Sequence, residues 1–196
     1  MSIRSTTLVS CFAVFAIAGC STTTTQSFTV APDSKVEKAF IATDADFSKY
    51  HQLLAEEMGI FFPQHVHMAD EDLERLRQIF RDAFLPKLEH YTIVTEPAPG
   101  TMAVQASLID LRKAGIADVP YLRAEVRDVA KPGALVFLME FRDPKTDKVL
   151  GRAADSSAAP TFAYGDGSAT NWSSVKEAAE HWSILFVNFL DNNLGK

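Results

Sequence analysis

The stretch ALVFLMEFRD, residues 134–143, is apolar on both faces of an extended chain for several consecutive residues. A strand with one face in water alternates apolar and polar residues, so this run predicts a central strand that is covered on both faces. The overlapping stretch DPKTDK, residues 143–148, predicts a hairpin connection. It leads into VLGRAADS, residues 149–156, which we expect to form the next strand.

Further strand-like stretches precede this hairpin. They are YTIVTE (91–96), MAVQASLIDL (102–111) and YLRAEVRDV (121–129), and the last two alternate apolar and polar residues. Residues 50–62, YHQLLAEEMGIFF, are ambiguous. The part QLLAEEM favours a helix by propensity, whereas Gly59 and the Ile-Phe-Phe run after it favour a strand.

Two segments have the periodicity of amphipathic helices. In residues 70–90, DEDLERLRQIFRDAFLPKLEH, apolar residues recur at steps of three and four. Asp70 is a suitable N-terminal cap, and Pro86 is expected to end or kink the regular helix.

The second helical segment is SSVKEAAEHWSILFVNFLDNN, residues 173–193, with Trp182 at the centre of its apolar stripe. Ser174 and Glu177 form a capping-box pattern at its start. Together the elements predict an α+β fold: a mostly antiparallel sheet of about five strands with two long helices packed on it.

Composition narrows the classes of function. The chain has 196 residues and a formal charge of −6, which suits one domain and argues against a nucleic-acid partner, because phosphates require a dense basic patch. Its two cysteines, Cys11 and Cys20, both precede residue 21, so the folded body offers no thiol nucleophile or thiolate ligand. We identify no catalytic residue and no cofactor motif, and we expect a protein that is not an enzyme.

The first 20 residues have the build of an export signal. Arg4 supplies positive charge, and residues 8–18 form an apolar run too short to span a membrane comfortably. The sequence Ile-Ala-Gly-Cys at residues 17–20 resembles the lipobox of bacterial lipoproteins. We therefore expect a signal peptide at residues 1–19, a lipidated Cys20 with a flexible tether at 20–35, and one globular domain at 36–196.

The lipobox resemblance implies a membrane anchor. In that class, the thiol of the residue equivalent to Cys20 is acylated and the chain is cut before it. Several acyl chains hold a protein at a membrane for good, whereas one chain binds reversibly. Ser21 takes the place of the aspartate that commonly signals inner-membrane retention, so the resemblance implies an outer-membrane anchor that faces the periplasm.

Several stretches together resemble a bacterial lipoprotein family known as domain of unknown function 3313. They are DADFSKYHQLL (44–54), LRQIFRDAFLPKLEHYTIV (76–94), EPAPGTMAVQASLIDL (96–111), FRDPKTDKVLGRAADS (141–156) and NWSSVKEAAEHWSILFVNFLD (171–191). The resemblance implies a cell-envelope lipoprotein and supplies no catalytic residues. It also favours an extended strand over a helix for residues 50–62.

Two groups of residues are candidates for a site. His65 and His67 could contribute to a metal centre, but H-x-H leaves such a site short of ligands, and a solvated loop is the plainer interpretation, so we predict no metal. Phe162, Tyr164 and Trp172 lie in a long loop and form our candidate binding surface. The alternative is that these rings fold back onto the sheet.

These observations favour a non-enzymatic envelope lipoprotein that binds a ligand or an envelope protein partner. Two alternatives stay open: a metal-assisted hydrolase that uses His65 and His67, and a purely structural envelope component.

The lipobox makes a direct prediction. Replacing Cys20→Ala removes the thiol that is acylated, so the variant should incorporate no labelled fatty acid and should accumulate as uncut or released protein. Labelled fatty acid on that variant would contradict the anchor.

Overall fold

The computed structural model describes residues 27–31, 35–63, 65–114, 132–164 and 168–195. Its strands are β1 (Phe28–Val30), β2 (Lys38–Ala42), β3 (Gln52–Ala55), β4 (Gly59–Phe61), β5 (Thr92–Val94), β6 (Thr101–Asp110), β7 (Leu135–Asp143) and β8 (Lys148–Asp155). Its helices are α1 (Asp70–Phe84) and α2 (Trp172–Leu194). Short 3-10 helices lie at Phe47–Lys49 and Leu85–Leu88. The predicted signal peptide, Cys20 and the predicted strand 121–129 lie outside the described residues.

The prediction of a mostly antiparallel sheet of about five strands is wrong. One eight-stranded mixed sheet has the order β1-β2-β8-β7-β6-β3-β5, and β4 pairs with β6 beyond the end of β3. The pairs from β1 to β6 along this order are antiparallel, whereas β3 and β4 run parallel to β6, and β5 runs parallel to β3. The α+β class and the two long helices are as expected.

Short strands account for the error in the number of strands. The strands β1 and β2 have three and five residues, which is too few to show a clear alternation. The strand β1 also falls inside residues 20–35, the range predicted as a tether. Residues 50–62 are extended, as the family resemblance favoured, but they form two strands, β3 and β4.

The strand β7 lies in the middle of the sheet, as its apolar sequence predicts. Its burial is complete from Leu135 to Phe141. One face carries Phe137, whose ring lies 5.2 Å from Trp182 of α2 and 5.3 Å from Phe80 of α1, measured between centroids. Both helices therefore pack on the same face of the sheet through one group of aromatic rings.

The opposite face of the sheet combines a small apolar cluster with an ion network. The cluster contains Ile109, Leu111, Val136, Leu138 and Ala154. Next to it, Glu140 is 4% exposed and accepts a 2.6 Å hydrogen bond from Nε of Arg152, its register partner on β8. Arg142 approaches the other carboxylate oxygen of Glu140 at 3.4 Å. The two arginines satisfy this buried carboxylate, as a buried charge requires.

The helix caps differ from the sequence prediction. The helix α1 begins at Asp70 itself, and its cap residue Ala69 makes no side-chain hydrogen bond, so Asp70 acts only through its charge near the positive helix end. The helix α2 is capped by Asn171, whose carboxamide oxygen accepts from the backbone N–H of Ser173 and Ser174. Ser174 is therefore not the cap, because Asn171 begins the helix earlier and is an equally good cap residue.

Pro86 acts as expected: α1 ends at Phe84 and a 3-10 turn with this proline follows. Neither helix within the described ranges is long and apolar enough to cross a membrane.

Trp182 is 0% exposed, and its indole N–H donates a 3.0 Å hydrogen bond to Oδ1 of the buried Asp155. Trp182→Ala should lower the free energy of unfolding by about 3–5 kcal/mol through lost burial and a cavity. Trp182→Phe keeps an aromatic ring but leaves the carboxylate one donor short, and it should cost about 1–3 kcal/mol.

Urea denaturation measures both effects. The matched control is Ile184→Ala on the same helix: Ile184 is 48% exposed, and the change should stay within about 0.5 kcal/mol. Equal stability of Trp182→Ala and Ile184→Ala would show that the aromatic group does not hold α2 on the sheet.

Candidate functional site

An apolar cavity of about 560 Å³ lies between the sheet and the two helices. Its floor is formed by Leu53, Val104, Ala106, Phe137 and Met139, and its walls by Phe80, Phe84, Phe186, Val187 and Leu190. This volume falls within the roughly 300–1,000 Å³ that is typical of small-molecule sites. The cavity is therefore large enough for a ligand, and its lining suits an apolar one.

A β-bulge forms one edge of the cavity. Ala55 of β3 pairs with Val104 of β6, and Gly59 of β4 pairs with Ser107. Residues 56–58 thus lie opposite only two residues of β6, which is the signature of a bulge. The bulge interrupts β3–β4 beside the cavity and places its glutamates at the rim.

The rim carries five charged side chains: Glu56, Glu57, Glu74, Arg77 and Arg81. Nε of Arg77 on α1 lies 3.2 Å from a carboxylate oxygen of Glu57 and 3.4 Å from the carbonyl oxygen of Met58. Arg77 thereby joins the helix to the bulge and closes this end of the opening.

The opposite end of the cavity is apolar and open. Leu85, just beyond α1, is 43% exposed, and Ile93 on the edge strand β5 is 40% exposed, although both line the cavity. Single apolar residues on a surface are ordinary, but exposed apolar residues grouped at a cavity indicate where a ligand enters. The cavity, which we also call the chamber, thus has an ionic end at Arg77 and an open, apolar end, its mouth, at Leu85 and Ile93.

A family model described as "Protein of unknown function (DUF3313)" matches residues 26–186. The chain belongs to the DUF3313 family. The family resemblance read from the sequence is thereby confirmed. No curated protein matches the chain.

Solved structures with similarity to this DUF3313 chain are remote. A PelC dodecamer from Paraburkholderia phytofirmans has 9% identity and a TM-score of 0.37, with 86% of this chain and 97% of that chain covered. A DUF4136 family protein from Bacteroides thetaiotaomicron has 10% identity and a TM-score of 0.43, with 85% and 97% covered. A PDZ domain protein from Parabacteroides distasonis has 13% identity and a TM-score of 0.39, with 84% and 36% covered. We infer no activity from similarities at this level.

The histidines of the hydrolase alternative lie apart from the cavity. His65 and His67 are exposed on the irregular segment before α1, and neither lines the cavity. Within the part of the chain that the structure describes, no three His, Cys, Asp or Glu side chains form a group that could hold a metal ion. The structure thus offers no observation in favour of this alternative.

The candidate binding aromatics are packed rather than free. Phe162 is 1% exposed, and its ring meets Phe62 edge-on at 6.1 Å. The hydroxyl of the partly buried Tyr164 donates to Asp110. Trp172 lies under the guanidinium of Arg75 at 4.2 Å. Phe162 therefore folds back into the core, as the alternative to a binding surface predicted. Binding of a partner by Tyr164 and Trp172 stays a prediction.

The contact between Asp110 and Tyr164 belongs to an ion pair between the buried Asp110 and the partly buried Arg112. The guanidinium of Arg112 donates two hydrogen bonds to the Asp110 carboxylate, from Nε at 3.0 Å and from Nη2 at 2.6 Å. It also donates to the carbonyl oxygen of Pro160 at 2.7 Å. Burial, together with the hydrogen bond to Asp110, raises the pKa of the Tyr164 phenol. These contacts tie the loop to the end of β6.

A serine–histidine–aspartate group near Trp182 does not have the arrangement of a hydrolase triad. The hydroxyl of Ser157 contacts both Asp155 and, at 2.7 Å, Nε2 of His181. In a triad, the histidine lies between the other two residues, whereas here the serine does. Burial opposes ionisation of Asp155, but hydrogen bonds from Ser157, Trp182 and the Glu37 backbone outweigh it and lower its pKa. The serine is thus a donor to a stable carboxylate rather than an activated nucleophile.

Sequence reasoning did not find the cavity or its rim. Arg77 and Arg81 are spaced by four residues beside the apolar stripe of α1, which is the ordinary pattern of an exposed helix flank. The only signal in the sequence was the ambiguity of residues 50–62, where the bulge lies.

The burial of Phe162 makes a testable prediction. Phe162→Ala should lower the free energy of unfolding by about 3–5 kcal/mol, because a fully buried ring is lost. Tyr164→Phe keeps the ring and removes one hydroxyl, so it should cost about 1–2 kcal/mol in the same urea experiment. Wild-type stability of Phe162→Ala would place this ring outside the core.

Proposed function

We propose that the chain is an outer-membrane lipoprotein whose periplasmic domain binds an apolar small molecule in the cavity. The cavity is the single observation that carries the binding part of this proposal. Apolar surface that stays exposed to water is costly, and burial against a ligand removes about 25 cal/mol for each Å² covered. A lining of alkyl and aromatic side chains gives such a ligand most of its affinity.

The anchor part of the proposal rests on the sequence around Cys20, which resembles a lipobox. A lipid anchor keeps the domain within reach of the bilayer, where apolar molecules are concentrated. The location and the cavity are therefore consistent with each other: a protein at the membrane surface meets ligands that are scarce in free solution.

The carboxylates at the rim of the cavity are paired with arginines: Glu56 contacts Arg142 at 2.6 Å, and Glu57 contacts Arg77 at 3.2 Å. Paired charges at a cavity rim orient a ligand or limit its entry, but they offer no free general base.

The test uses N-phenyl-1-naphthylamine, an uncharged apolar dye whose fluorescence rises on transfer out of water. The purified domain should bind it saturably. Ala106 on β6 is partly exposed and lines the cavity floor, so Ala106→Phe places a ring in the chamber. We expect at least about a tenfold loss of dye affinity. This corresponds to the loss of about 1.4 kcal/mol of apolar contact between the dye and the cavity.

The matched control is Ala159→Phe, because Ala159 is exposed in the loop after β8 and does not line the cavity. This variant adds the same ring and should bind the dye as wild type does. Wild-type dye binding by a folded Ala106→Phe variant, checked by circular dichroism, would refute the cavity as the binding site.

A further inference from the structure

The charged rim distinguishes between possible head groups of a ligand. Its carboxylates already have arginine partners: Glu56 contacts Arg142, while Glu57 and Glu74 both contact Arg77, at 3.2 and 3.7 Å. A cationic ligand would have to displace an arginine from one of these pairs. The rim therefore does not favour a positively charged head group.

Arg81 differs from the other rim charges. Its guanidinium donates to Oε1 of Gln78 on the same helix at 2.9 Å, and among the residues that the structure describes it contacts no carboxylate. A guanidinium carries five N–H donors in a fork that matches a carboxylate or a phosphate. Arg81 is exposed, so most of these donors face solvent at the rim.

The position of Arg81 relates it to the apolar mouth. It follows Arg77 by one helical turn and precedes Leu85 by another, so the three side chains lie along one flank of α1 and of the 3-10 turn that follows it. Arg77 closes the ionic end, and Leu85 lies at the open end. A ligand that enters beside Leu85 can thus place its apolar part in the chamber while its polar end stays within reach of Arg81.

From this arrangement we infer that the cavity binds an amphiphile with an anionic head group, with its alkyl part in the chamber and the head group on Arg81. The inference rests on the proposed function and adds the chemical class of the ligand. The rim carries three glutamates and two arginines, so its formal charge is −1, and selection for an anion comes from the available donors of Arg81 and not from net charge.

The experiment measures displacement of N-phenyl-1-naphthylamine by three ligands with the same alkyl chain: dodecanoate, dodecan-1-ol and dodecyltrimethylammonium. Dodecanoate should displace the dye at the lowest concentration. Arg81→Gln should weaken dodecanoate about threefold, as loss of one solvent-exposed ion pair does, and leave dodecan-1-ol unchanged. Added salt should also weaken dodecanoate alone.

Two variants serve as controls. Arg81→Lys keeps the charge and should retain most of the preference for dodecanoate. Lys176→Gln removes one positive charge from an exposed position of α2 that does not line the cavity, and it should change nothing.

Equal displacement by dodecanoate and dodecan-1-ol, or an equal effect of Arg81→Gln on both, would overturn the inference and leave the proposed function intact. The same holds if dodecyltrimethylammonium is the strongest competitor. Failure of the wild-type domain to bind the dye at all would refute the proposed function, and this inference with it.

Discussion

The packing of aromatic rings around Phe137 is the constraint on which the rest of the structure depends. This ring lies on the central strand and meets Phe80 and Phe84 of α1 and Trp182 and Phe186 of α2, at centroid distances of 5.0–5.5 Å. Aromatic pairs at such distances contribute beyond their burial alone. One side chain of the sheet thereby contacts both helices and holds them against the same face. The hydrogen bond from the Trp182 indole to Asp155 adds a polar constraint on the position of α2.

The same packing explains why a cavity remains. The large aromatic rings set the distance between the helices and the sheet. The neighbouring floor of the cavity carries smaller side chains, such as Val104 and Ala106 on β6, which do not fill that distance. The bulge at residues 56–58 lies at the edge of this region. Protein interiors are normally packed at the density of organic crystals, so an unfilled chamber between well-packed layers is a specific feature of this fold. Arg77 ties the bulge to α1 and closes one end of that chamber.

The sequence predicted the elements that have strong periodicity. The two helices, the central hairpin and the burial of Trp182 followed from apolar spacing, because those patterns extend over many residues. The short strands and the parallel pairing of β3 with β6 could not be predicted this way, since pairing joins residues far apart in the chain and leaves no local pattern. The cavity was equally hidden, because it results from a difference in side-chain volume between layers. Phe162 shows the same limit: a ring in a loop can be a surface anchor or a core residue, and only its contact with Phe62 decides.

The central claim is that an apolar ligand occupies the chamber on the helical face of the sheet. Methyl NMR spectra of a Leu- and Val-labelled domain, titrated with N-phenyl-1-naphthylamine, test it most directly, because the aromatic rings of the dye shift the resonances of nearby methyl groups. The account predicts shifts for Leu53, Val104 and Val187, which line the chamber, and none for Leu111 and Val136, which lie in the apolar cluster on the opposite face. Shifts confined to Leu111 and Val136, or no shifts at saturating dye, would contradict it.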